Sequence, residues 1–131
     1  MTSRSVYLGD PADEEFQLDG GNSSGNFPRQ LGPAWPRNRR GEHFTQWGVY
    51  SIIVAEAMSG KFEGRQTDWG CWVTLRTRDE LLAFLDECYG DGPIYPPDWT
   101  IRGKIKEDHE IRHFVAGLDQ NRKYYLVAME S

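Results

Sequence analysis

One string in this chain has residue types and a spacing that spell out a reaction: His109-Glu110-Ile111-Arg112-His113. On a helix, the two histidines of an H-E-x-x-H sequence lie one turn apart and share a face. Both imidazoles can then ligate a single zinc ion. The glutamate between them polarises a metal-bound water and accepts its proton, which makes Glu110 the candidate general base of a hydrolysis.

The string resembles the zincin metalloproteases over residues 109–119. The resemblance implies a zinc cofactor, His109 and His113 as ligands, and Asp119 as third ligand. In small zincins an H-E-x-x-H-x-x-G-x-x-[HD] pattern carries that ligand six residues after the second histidine. The chain departs from the pattern at Ala116, with the glycine displaced to Gly117, and at Arg112, a charge where the family favours an uncharged residue. Lys106, Glu107 and Asp108 make the approach to the motif charged as well.

Local structure decides whether this chemistry is available. In a strand, His109 and His113 still share a face but stand ~13 Å apart, beyond the reach of one zinc. Ile111, Phe114, Val115 and Leu118 fit helical spacing, yet Arg112 to Gly117 also reads as a strand between two polar turns. The strand reading is the one favoured here. It leaves Glu107, Asp108 and Glu110 as a solvated acidic turn.

Other catalytic sets are poorer. Cys71 would need an electropositive, exposed setting to act as a nucleophile, and its neighbours Trp69 and Val73 place it toward a core. Carboxylate pairs such as Asp86 with Glu87, or Asp91 with Asp98, are commonplace in a chain with 20 acidic residues. No G-x-S-x-G, P-loop or G-x-G-x-x-G string occurs. The aromatics suggest binding instead. Trp72 falls on the strand face opposite Trp69, and Trp35, Trp47, Tyr95 and Trp99 lie in or beside loops rich in Pro and Gly. Trp72, Trp99, Tyr95 and Trp35 are therefore candidates for lining a groove or interface; the alternative is a second small core under the amino-terminal segment.

These residues need elements to hold them, and the clearest runs from Trp69 to Gly90. Trp69, Cys71, Val73 and Leu75 alternate with Gly70, Trp72, Thr74 and Arg76, the period of a strand with the first set facing the core. Thr77-Arg78-Asp79-Glu80 is a capping box, T-x-x-E, opening a helix over 78–89. Leu81, Phe84, Leu85 and Cys88 form its apolar stripe, and Gly90 ends it. Cys71 and Cys88 are the only cysteines. Their spacing leaves a disulfide open, while a reducing compartment favours two buried thiols.

Residues 1–45 read as an irregular amino-terminal arm, with Val6-Tyr7-Leu8 a short strand and Phe27, Leu31 and Trp35 laying the rest on the core. Residues 46–131 make the core. The run Trp47 to Met58 fits helical spacing, but Val49, Tyr50, Ile52, Ile53 and Val54 are β-branched or aromatic and tip the reading to a buried strand. Trp99 to Lys106, Arg112 to Gly117 and Lys123 to Met129 form a carboxyl-terminal meander. The expected fold is α+β, a single domain: an antiparallel sheet of about five strands with one principal helix, 78–89, on one face.

Twenty acidic against 15 basic residues give a net charge of −5, which disfavours binding to nucleic acid. No apolar run is long enough to span a membrane and no signal segment is visible, so a cytoplasmic setting is expected. The reading of function is a small acidic non-enzymatic binding protein of the inhibitor, immunity or accessory kind, needing no cofactor. It would hold a protein or small-molecule partner on an aromatic and acidic surface. The alternative is a small zinc-dependent hydrolase, and an arm exchanged between subunits would make a homo-oligomer.

Overall fold

The computed structural model describes residues 4–13, 16, 27–35, 48–89 and 110–130. The element order is β1 (Arg4–Gly9), α1 (Val49–Ser59), β2 (Gly64–Asp68), β3 (Cys71–Thr77), α2 (Arg78–Tyr89), α3 (110–116) and β4 (Lys123–Glu130). Four strands form one antiparallel sheet in the order β1-β4-β3-β2. An α+β domain is thus the architecture, with four described strands where about five were expected. The expected strand at 99–106 lies outside the described residues, as do Trp47, Tyr95, Trp99 and His109.

Two segments read as strands are helices. The run beginning at Val49 is α1, because Val49, Ile53 and Glu56 recur at helical spacing on the side that is buried against the sheet. Packing of that side outweighs the modest β preference of its branched residues. Gly60 ends it at φ 77°, a left-handed conformation open to glycine at no steric cost. The Gly60 N–H donates to the Ala57 carbonyl and the Lys61 N–H to the Glu56 carbonyl, the paired bonds of a Schellman close. Likewise 110–116 is helical, with Ile111 and Val115, four apart, fully buried. The carboxyl-terminal meander is therefore replaced by a helix feeding β4, which runs up the middle of the sheet between β1 and β3.

The capping box forms as its residues dictate. The Glu80 N–H donates to Thr77 Oγ1 at 3.2 Å, and the Thr77 N–H donates to Glu80 Oε1 at 2.9 Å. Leu81, Phe84, Leu85 and Cys88 are all buried.

Which side of the sheet the helices cover is the opposite of the expected one. Thr74 pairs with Leu126 and Arg76 with Tyr124, so these residues share a face. That face meets α1, α2 and α3 in the larger core, with Val6, Leu8, Ile53, Leu81, Leu85 and Leu126 among its buried members. Cys71 and Val73 face the other way and pack with Val127 and Phe16 in a second cluster, to which Phe27, Tyr7 and Tyr125 contribute. Phe16 meets Tyr125 edge-on at 5.0 Å. Both sheet faces are covered, so strand alternation alone could not tell them apart. Cys71 and Cys88 lie in different clusters on either side of the sheet, buried and not joined by a disulfide.

The outer edge of β1 is covered by residues 27–35. Val6 bridges Trp35, Gly9 bridges Gln30, and the Leu31 N–H donates to the Leu8 carbonyl at 2.7 Å.

Candidate functional site

The β2–β3 hairpin turns through Trp69 and Gly70, and this turn is the most distinctive feature of the described surface. Gly70 takes φ 72°, the left-handed value a two-residue hairpin loop calls for. Its carbonyl accepts from the Tyr50 hydroxyl at 3.0 Å and from the Glu130 N–H at 2.8 Å. Arg4 completes the support: its Nε donates to Glu130 Oε2 at 2.7 Å while its guanidinium lies 4.9 Å over the Tyr50 ring. Burial and the neighbouring Glu130 push the Tyr50 phenol above its ordinary pKa, so it stays a hydrogen-bond donor at neutral pH. On this braced turn Trp69 is 71% exposed. Sequence alternation put it in the core; the turn ends the strand at Cys71 and turns the indole out to solvent. The signal that could have found it is Gly70, placed between two strand-forming runs.

A second unusual cluster lies inside. Arg76 is wholly buried on the helix face of β3. Its guanidinium sits between two aromatic rings, 3.9 Å from the Phe62 centroid and 4.7 Å from that of Phe84. Nη2 donates to Glu56 Oε1 at 3.0 Å and Nε to Thr74 Oγ1 at 3.0 Å, while the other Glu56 oxygen holds Lys61 at 3.0 Å. Desolvation pulls the Arg76 pKa down from its very high ordinary value, and Glu56 opposes that pull. Among the described residues Arg76 Nη1 has no hydrogen-bond partner. The set is a buried ion pair holding α1 to β3.

Those of the residues singled out from sequence that are described lie apart from one another. Trp35 is a core residue, 3% exposed, with its ring 5.7 Å from that of Phe84. Trp72 is half-buried on the helix face of β3, between Gln66 and Ala128 in the ladder. Glu110 and His113 are both exposed on α3, one turn apart. Arg112 between them reaches α2, donating to Asp86 Oδ1 at 2.6 Å and to the Leu85 carbonyl at 3.0 Å. Asp119 lies in the turn after α3, where its Oδ1 accepts from the Asn121 N–H at 2.9 Å. That bond gives the Asp119 carboxylate a turn-forming role in addition to any other. Among the described residues no three His, Cys, Asp or Glu side chains are grouped to hold a metal ion. None of their helices is long and apolar enough to cross a membrane.

Set against protein-family models, curated proteins and solved structures, the chain matches none.

Proposed function

We propose that this protein is a small binding protein and not a catalyst, and that it takes hold of a protein partner through the Trp69 hairpin turn. The supporting observation is the Trp69 indole, 71% exposed on a turn whose backbone is tied to α1 and β4 by the Gly70 carbonyl. A tryptophan presented this way offers a large apolar surface with little conformational entropy to lose on contact, the property that makes tryptophan a frequent anchor of interfaces. On this reading the acids of α2, Asp79, Asp86 and Glu87, belong to its solvated outer face. The Trp69→Ala variant should keep wild-type stability within about 0.5 kcal/mol and lose the partner that the full chain retains from a lysate of its own cells. A clear drop in melting temperature would make Trp69 a packing residue, and an undiminished partner would move the contact elsewhere.

A second reading is favoured by one observation, the helix at 110–116. A helix is the state in which an H-E-x-x-H string can act, and it sets Glu110 and His113 one turn apart. Here the protein would be a zinc-dependent hydrolase, with His109, His113 and Asp119 as ligands and Glu110 as base. It requires stoichiometric zinc uptake by calorimetry that the His113→Ala variant lacks. A wild-type chain that takes up no zinc removes this reading.

A further inference from the structure

We propose that Arg76 is the centre of an internal anion site, and that its Nη1 donates to a single small anion of the halide class, chloride in the cell.

A buried guanidinium has five N–H hydrogens to place and no means of shedding its charge. Two of those of Arg76 are placed. Nε donates to Thr74 Oγ1 and Nη2 to Glu56 Oε1, each at 3.0 Å. Nη1, which carries two hydrogens, meets no acceptor among the described residues, although the side chain has 0% of its surface exposed. A donor left bare at that depth costs about 1–3 kcal/mol, and more when it is charged. Folded proteins seldom leave such a group unanswered.

The surroundings are short of acceptors in particular. Glu56 is bonded to Arg76 through one oxygen and to Lys61 through the other, at 3.0 Å, so two cations lean on one negative charge. Glu80, a further carboxylate close enough to act on Arg76, already accepts from the Thr77 N–H. The Thr74 hydroxyl accepts from Nε and gives its own hydrogen to the Leu126 carbonyl at 3.4 Å. Beside the same Phe84 ring, Trp35 Nε1 is a second buried donor with no acceptor among the described residues.

This shortage selects the occupant. Water would offer Nη1 a lone pair but bring two hydrogens of its own, and a buried water needs two to four polar partners. An anion asks for donors only, and it supplies the missing negative charge. Its size is limited by the rings that cover the guanidinium, Phe62 at 3.9 Å and Phe84 at 4.7 Å. With Arg76 closed off behind them, a monatomic ion is admitted and a carboxylate carrying a carbon chain is not. Phe62 is half-buried where Phe84 is buried, so the ion enters past Phe62. Lys61, 58% exposed beside it, draws anions to that side. The bound ion would complete the tie between α1 and β3, and the stability of the fold would depend on chloride.

Crystals grown in sodium bromide, with data collected at the bromine absorption edge, test the proposal. An anomalous peak in contact with Arg76 Nη1 is expected. A peak there without anomalous signal would be a water and would overturn the anion, as would no peak at all. In solution, melts of the full chain in sodium chloride are compared with melts in sodium gluconate at the same ionic strength. Each tenfold rise in chloride above its dissociation constant should raise the melting temperature by roughly 4 °C. The double variant Glu56→Leu with Arg76→Met keeps no guanidinium and should melt at one temperature in both salts. The same chloride dependence in that variant would place the ion elsewhere and overturn the proposal. A bromide peak without a chloride effect on the wild-type melt would be an adventitious ion only, and would overturn it too. The wild-type crystal and melts decide the matter even where the double variant fails to fold. None of these results touches the Trp69 reading, which rests on other residues.

Discussion

The helices α1 and α2 lie on the same face of the same sheet, and their sequences are finished in opposite ways. In α2 the opening is closed by its own capping box, Asp79 and Glu80 answer the dipole, and the charged residues Asp86 and Glu87 are turned to water. Its apolar stripe is entirely spent on the core. In α1 the opening has no side-chain cap, neither end of the dipole is met from within, and the single charged residue is turned inward to Arg76. Of its outward residues, Ala55 and Met58 are exposed. The contrast teaches that α2 is specified locally, by bonds between residues close in sequence, whereas α1 takes its conformation from what surrounds it. Helices of the first kind hold a fold together. Those of the second kind form only once their surroundings are in place.

The sharpest way to break this contrast is to remove the inward charge of α1. With Glu56→Ala, the fully buried Arg76 guanidinium keeps only Thr74 and the two rings, and stability should fall by about 3–5 kcal/mol in urea denaturation. Exchanging both partners for apolar residues of similar size, Glu56→Leu with Arg76→Met, should recover most of that loss, because no charge is then left buried alone. If Glu56→Ala proved mild, α1 would be held by apolar packing like any other helix. Next in size is the cap of α2. Thr77→Ala removes one of two reciprocal bonds and should lower stability by about 1 kcal/mol, measured in the same titration. An effect within error would mean that α2, too, is held from outside. The smallest expected effect is on the outer side of α2. Ala83 is exposed there, and Ala83→Arg should keep wild-type stability within about 0.5 kcal/mol in the same titration. A larger loss would mean that the outer side of α2 is packed against something after all.

What was legible in the sequence follows the same division. Thr77 and Glu80, three residues apart and just before an apolar run, mark a capping box, and the stripe Leu81, Phe84, Leu85, Cys88 determines which side of α2 is buried. The strands at Val6 to Leu8 and from Lys123 were readable for a similar reason, since short β-rich runs between turns have few alternatives. At 49–59 and 110–116, helix and strand periods both fitted the apolar residues, and choosing between them required the partner surface. For α1 a local clue existed in Gly60, placed where a helix closes, but the β-branched run outweighed it on propensity.

The candidate site was less legible still. That Trp69 is outside and Trp35 inside depends on where β3 begins and on what packs against Phe84, and neither is a property of neighbouring residues. The same holds for Arg76. As a residue type it belongs in water, and only the arrival of Glu56 from α1, with Phe62 and Phe84 on either side of its guanidinium, makes its burial tolerable. By itself the sequence determined the elements whose stabilising bonds are local. Which face of the sheet the helices cover, and which tryptophan is left exposed, were decided by tertiary structure, because both depend on contacts between residues far apart in the chain.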